Sequence, residues 1–267
     1  MCKWLTNLFH KPDPITPVPV PEPGANKKTA LLFGDNYPGT NYELSGCIND
    51  IDDVESKLNK EFHGYVIHKF KNTEVTGTRF YNEIRHALET SIAGDFILIW
   101  YSGHGTQIQS HVESDGYNEA FYFSDGAFSD KQLMELQQWT PPGVIVSANF
   151  DSCFSGGMDR GLCKQPMCNN KFHQMPGVPR MTKRLNSMAG SVPKWAIFAG
   201  CLEGQTCADA TFNGRANGAY THFDLLCWGP GITFREEMTK LHTYLPSKVY
   251  DQNPALLGDI SLFDCKY

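Results

Sequence analysis

The stretch from Val144 to Gly157 constrains this chain most. The β-branched run Val144-Ile145-Val146 leads to Asp151-Ser152-Cys153, and the small residues Ser155-Gly156-Gly157 follow as a turn. A buried parallel strand delivers a side chain to its carboxyl edge in this way, and open α/β sheets keep their ligands at that edge. A second stretch has the same grammar. Asp95 to Tyr101 reads as a buried strand that stops at Ser102-Gly103-His104-Gly105, a histidine held between two glycines.

If the two strands are neighbours, one edge of the sheet offers a thiol and an imidazole together. A free thiol is only partly ionised at neutral pH, and a positioned imidazole removes its proton or stabilises the thiolate. His104 is then the expected general base and Cys153 the expected nucleophile. The amide N–H groups of Gly105 and Cys153 are the expected oxyanion hole. The bland alternative for Cys153 is a buried core thiol, which is how Cys201, Cys207 and Cys227 are read.

Strands and helices alternate along the chain, which predicts an α/β fold with a mostly parallel central sheet flanked by helices. Thr29 to Gly34 is the first strand, followed by a helix capped by Asn49 or Asp50 and running to about Lys60. Gly64 to Phe70 is a strand, Thr78 to Ile92 a helix and Phe96 to Tyr101 a strand. Beyond a polar loop, Glu119 to Phe123 is a short strand, and Ser129 caps a helix to about Gln138. Lys194 to Cys201 is a core strand, Gly218 to Cys227 and Thr233 to Leu245 are helices, and Ile260 to Phe263 is a final strand. The stretch 158–193 has no periodicity and reads as a long functional or disordered loop.

The pair Tyr101-Ser-Gly-His-Gly-Thr-Gln107 and Asp151-Ser-Cys-Phe-Ser-Gly-Gly157 resembles the His and Cys motifs of metacaspases, caspase-like cysteine peptidases of family C14. The resemblance runs from about Lys28 to the C-terminus. It includes Leu44-Ser-Gly-Cys-Ile-Asn-Asp50 and Gln252-Asn-Pro-Ala-Leu256. It implies a caspase-like three-layer sandwich and hydrolysis of peptide bonds after Arg or Lys. It also implies that Cys47, Asp50, Ser102 and Asp151 form the primary specificity pocket. Two carboxylates suit a cation and repel the aspartate that animal caspases prefer. The rival reading is a catalytically silent caspase-like scaffold.

The long loop carries Arg160, Lys164, Lys171, Arg180, Lys183 and Arg184, candidate self-cleavage sites for a peptidase of basic specificity. Calcium, which activates many metacaspases, has possible ligands in Asp115, Asp125 and Asp130. Glu119 and Asp159 could add to them, but Asn118 and Lys131 stand where acids are expected. No other cofactor is implied. Phe154 stands where many relatives carry His, and changed packing is expected there. A zinc site at Cys163, Cys168 and His173 is the third reading, with a spacing that matches no common finger.

At 267 residues with net charge −6 and no basic run longer than two, the chain reads as one large domain without a nucleic-acid partner. Residues 1–27 read as an N-terminal segment with a proline-rich linker, and 28–267 as the peptidase domain. Residues 1–10 are either a frayed end or a short amphipathic tether to a membrane surface or partner. Nine cysteines without a usable signal peptide are read as reduced thiols in a cytoplasmic setting. A monomer is expected.

Overall fold

The computed structural model describes residues 26–109, 117–153, 168–174, 194–202 and 205–267. The N-terminal segment, Phe154, Asp115, Asp159, Cys163 and the loop bases Arg160, Lys164, Arg180, Lys183 and Arg184 lie outside the described residues. Among the described residues no helix is long and apolar enough to cross a membrane.

In chain order come β1 (Lys28–Gly34), α1 (Cys47–Glu61), β2 (Tyr65–Lys71), α2 (Gly77–Glu89) and β3 (Phe96–Ser102). A run of short strands follows: β4 (Gly105–Gln109), β5 (Tyr117–Phe123) and β6 (Gly126–Ser129). Then come α3 (Asp130–Gln138), β7 (Ile145–Asp151), β8 (Asn169–Asn170), β9 (Ala196–Ala199), β10 (Ala208–Phe212) and β11 (Arg215–Gly218). The chain closes with α4 (Ala219–Cys227), α5 (Phe234–Leu241) and β12 (Ala255–Gly258).

The central sheet has the order β12-β9-β7-β3-β1-β2. It is parallel except for β12, which runs antiparallel to β9. Every residue of β3 is buried because both sheet faces are covered. Alternation divides its side chains: Leu98 and Trp100 pack with Ile51, Val54, Tyr220 and Phe234 of α1, α4 and α5. Ile97, Ile99 and Tyr101 pack with Phe80, Ile84, Leu88 and Leu133 of α2 and α3. The result is the expected three-layer sandwich. Each such fully buried apolar side chain contributes about 1.5–3 kcal/mol.

Several expectations are corrected. Helix α1 starts at Cys47, its N-cap is Gly46 without a side-chain bond, and Asp50 is buried in the first turn rather than capping it. The end of the chain forms a 3-10 turn at Ile260–Leu262, and the closing strand is β12 instead. Helix α2 stops at Glu89, where Thr90 turns its hydroxyl back onto the carbonyl of His86. The polar loop after His104 contains a three-stranded antiparallel sheet, β4-β5-β6. Helix α3 begins as expected, with Ser129 and Gln132 forming a capping box.

Asp224 on α4 and Glu237 on α5 are both fully buried, and Tyr267 donates to Glu237 Oε1 at 3.2 Å. Burial pushes Asp224 up to about 7 and Glu237 well above its ordinary value. In the unfolded chain both ionise near pH 4. Folding therefore takes up protons between about pH 4 and 7, and stability falls as pH rises through that window. Asp224→Asn is expected to raise the melting temperature at pH 8 by about 5 °C and to flatten its pH dependence. Thermal unfolding of both proteins between pH 5 and 8 checks this.

Candidate active site

Strands β1, β3 and β7 stand in register, so that Gly34 pairs with Ser102 and Ser102 with Asp151. His104 and Cys153 each follow two residues past a paired position, and so leave the same edge of the sheet at the same level. The Gly103 N–H donates to the Asp151 carbonyl at 3.3 Å, holding the two strand exits together.

Between these exits lies a piece of the chain itself. Asn169 and Asn170 of β8 pair antiparallel with Asp209 and Ala208 of β10. Lys171 N–H donates to the Cys207 carbonyl at 3.0 Å, and His173 N–H to the Gly105 carbonyl at 2.9 Å. The Lys171 carbonyl accepts from two amides, Gly105 N–H at 3.0 Å and Cys153 N–H at 3.2 Å. These are the two donors that the sequence paired for one oxygen.

The Lys171 side chain is fully buried. Its Nζ lies 3.1 Å from Asp50 Oδ2 and 2.8 Å from Ser102 Oγ. It also lies 3.1 Å from Asp151 Oδ1, an ion pair off the line of a hydrogen bond. Burial alone would strip its proton, but the charges of Asp151 and Asp50 hold the ammonium well above the ordinary lysine range. Burial pushes Asp151 up to about 6 against the pull of Lys171. Burial also raises the Cys47 thiol well up, so that it lines the pocket in its neutral form beside Ser102. All four pocket residues expected from sequence thus surround one ammonium.

Residues that sequence reasoning missed complete the pocket. Asn217 Nδ2 and Gly218 N–H donate to Asp50 Oδ1 at 3.0 and 2.8 Å. Thr221 donates to Asp151 Oδ2 from its N–H and its hydroxyl. Asp209 receives the amides of Ser45 and Gly46 at 2.7 and 2.8 Å. A Cβ at Gly218 would run into Asp151 Oδ2 and Lys171 Nζ. Gly218 opens α4, and its place before a helix start was the available signal.

His104 is buried, and its Nε2 lies 2.7 Å from the Tyr42 carbonyl. A carbonyl only accepts, so Nε2 carries the proton and Nδ1 is left with its lone pair, without a partner. This carbonyl is the third group that sequence could not name, since any residue supplies one. Burial pushes the imidazole down to about 4, with the charges of His173 and Lys171 adding to it, so the ring is neutral at pH 7. His173 stacks on Tyr122 at 4.1 Å and packs against Tyr42 at 4.2 Å.

Cys153 is fully buried in a small cluster with Phe172, Cys201 and Cys207. Its Sγ accepts from the Cys207 N–H at 2.6 Å. Burial opposes ionisation, but the thiols of Cys201 and Cys207, the Cys207 amide and Lys171 outweigh it and hold Cys153 well below the ordinary thiol range. Imidazole and thiol flank the Lys171 backbone without a hydrogen bond to each other. Cys201 and Cys207 are core thiols as expected, yet they also touch the candidate nucleophile.

The metal expectations fare differently. Asp125 accepts from Gly77 N–H at 2.6 Å, Thr78 N–H at 3.2 Å and the Thr78 hydroxyl at 3.0 Å, and so caps α2. Asp130 Oδ1 accepts from Lys131 N–H. Among the described residues no three acids converge on a point, so the described acids alone do not fit a calcium ion, which needs six or more oxygens. Cys168 is disulfide-bonded, which corrects the expectation of uniformly reduced thiols. A sulfur so bonded offers no thiolate to zinc, and the Cys163, Cys168 and His173 reading loses a ligand.

The family description "Metacaspase, peptidase C14 domain" matches residues 28–159. Metacaspase-1 of Lodderomyces elongisporus is 27% identical over 90% of this chain, which spans 66% of that relative's length. Among solved structures, a protein from Geobacter sulfurreducens superposes with a TM-score of 0.70 at 22% identity, covering 90% of this chain and 97% of its own. Caspase-1 from Spodoptera frugiperda superposes with a TM-score of 0.58 at 12% identity, covering 90% of this chain and 94% of its own, a likeness of fold. With the motifs of both strand ends inside the matched residues and the sandwich around them, residues 28–159 carry a metacaspase-type peptidase C14 domain.

Proposed function

We propose that this chain is a cysteine endopeptidase that hydrolyses peptide bonds after Lys or Arg, with Cys153 as nucleophile and His104 as base. One observation carries the reading: the segment 169–173 lies across the site as a substrate would. Its carbonyl at Lys171 accepts the Gly105 and Cys153 amides, while its ammonium fills the acidic pocket. Main-chain pairing with β10 supplies affinity in the manner of an added strand, and the pocket supplies selectivity.

In this reading Sγ of Cys153 attacks the Lys171 carbonyl carbon, and its proton passes to Nδ1 of His104. The oxyanion is held by the two amides. The C–N bond to Phe172 breaks as the imidazolium returns the proton to the leaving amine, and water then hydrolyses the thioester. The same steps act on other chains once the acidic pocket is vacated. Among the six basic residues of the loop, the bond proposed for self-cleavage is Lys171–Phe172.

The first test is mass analysis of the purified chain, together with hydrolysis of fluorogenic peptides ending in Arg, Lys or Asp, with calcium and with chelator. A break after Lys171 and Arg or Lys hydrolysis, both absent in Cys153→Ala, are the expected results. Cleavage after Asp alone would sink the pocket assignment. A folded protein that cleaves nothing under any condition would favour the scaffold reading.

Gly218 has φ −66°, which alanine adopts freely, so Gly218→Ala acts through space alone. Its methyl group is expected to lower kcat/KM for Lys and Arg peptides about 100-fold and, because it meets the fully buried Asp151 and Lys171, to lower the melting temperature as well. Self-cleavage offers a pH test as well. The neutral imidazole persists down to about pH 4 in the closed site. The acid limb of the single-turnover rate should therefore lie near 4, well below the ordinary histidine value of about 6.5.

A further inference from the structure

The sulfur atoms of Cys153, Cys201 and Cys207 all lie within 4.8 Å of one another, and each residue is buried. They come from three places in the chain: just past β7, just past β9 and immediately before β10. Cys207 Sγ lies 3.0 Å from Cys201 Sγ. We propose that these three thiols form a binding site for a thiophilic divalent cation, zinc foremost, that takes the Cys153 sulfur as a ligand.

The geometry suits the ion. With Zn–S bonds of about 2.3 Å, the sulfurs of a tetrahedral site stand about 3.8 Å apart. Cys201 and Cys207 stand closer than that value at 3.0 Å and all three sulfurs lie within 4.8 Å, so the site needs side-chain torsions and no movement of the strands. Soft thiolates select zinc over calcium or magnesium. The surroundings suit it too. The Cys207 N–H already donates to Cys153 Sγ at 2.6 Å, the kind of second-layer bond that orients a ligating sulfur. Binding deprotonates Cys201 and Cys207, whose thiols are now held well above their ordinary range, partly by the neighbouring Cys153 sulfur. The ion's two positive charges reverse that repulsion, and the proton of each ligating thiol leaves to solvent.

Three protein sulfurs leave a fourth position to water. An ion so placed removes the lone pair that the proposed peptidase needs, so zinc is a reversible inhibitor acting at the nucleophile. The inhibition rests on the peptidase reading. The binding does not.

The test is equilibrium dialysis of the full chain, reduced beforehand, against zinc, with metal content measured per chain. Cobalt substitution is followed in parallel by thiolate-to-cobalt charge-transfer absorption. One tightly held ion is expected, with the absorption of three thiolates. Cys201→Ser and Cys201→Ala should each weaken binding by at least about 100-fold with the fold retained by circular dichroism. Zinc sensitivity of peptide hydrolysis, scaled to each variant's own metal-free rate, should fall in step. Unchanged zinc affinity in folded Cys201→Ser and Cys201→Ala, or a cobalt spectrum without thiolate bands, would overturn the site. Zinc bound by a chain that hydrolyses no peptide would leave this site standing and remove the peptidase reading instead.

Discussion

The fully buried ammonium of Lys171 is what the rest of this site depends on. Taking a charge out of water carries a penalty of several kcal/mol per ion, recovered only where geometry and further hydrogen bonds are good. Here they are supplied from all sides. Asp50 and Asp151 face the ammonium at 3.1 Å, and their remaining oxygens are held by Asn217, Gly218 and Thr221. The carboxylates are thus fixed whether or not this lysine is present, and an empty pocket would leave two buried acids uncompensated. Burial already drives Asp151 to about 6 with the cation in place. The Lys171 stem carries the ammonium into this site, where it offsets both carboxylates.

The site comes together in the right place because of sheet register. Parallel pairing sets Gly34, Ser102 and Asp151 side by side at the carboxyl edge. One row then provides the pocket wall, and the residues two places further along β3 and β7 provide the imidazole and the thiol. A slip of one residue would turn Asp151 out of the pocket and Ser152 into it. The aromatic and aliphatic packing on both faces of β3 is therefore also what aligns the chemistry.

Much of this was legible in sequence because it is local. Buried runs ending in Gly-His-Gly and Asp-Ser-Cys mark the strands, their shared edge and the two side chains, His104 and Cys153, that leave it. What was not legible is non-local or made of backbone. Of the β4-β5-β6 sheet only Glu119 to Phe123 of β5 was legible as a strand, and β4 and β6 are made by pairing with it rather than by hydropathy. Strand β8 has two residues and exists because β10 pairs with it. Asp50 looked like a helix cap, since a carboxylate in a first turn usually is one, but its oxygens turn inward to Gly218 N–H and Lys171. Nothing in composition separates Lys171 from the five other bases of its loop. The amides of Gly105 and Cys153 at its carbonyl and the carboxylates of Asp50 and Asp151 at its ammonium mark it out. The thiols at 201 and 207 were read correctly as buried, while their distance from Cys153 was beyond reach of any spacing rule.

Cys207 ties these parts into one device. Its N–H holds the Cys153 sulfur, its carbonyl accepts the Lys171 N–H, and its thiol touches Cys201. The same residue therefore fixes the sulfur on one side and the segment across the site on the other. A sulfur held by N–H and S–H donors is lower in pKa, and its thiolate is correspondingly weaker as a nucleophile. The imidazole opposite is neutral, with its lone pair at Nδ1 unspent because the Tyr42 carbonyl engages only Nε2. Imidazole and sulfur are kept apart from each other by the Lys171 backbone. Cys207 thus joins the Cys153 sulfur and the segment across the site through its own backbone.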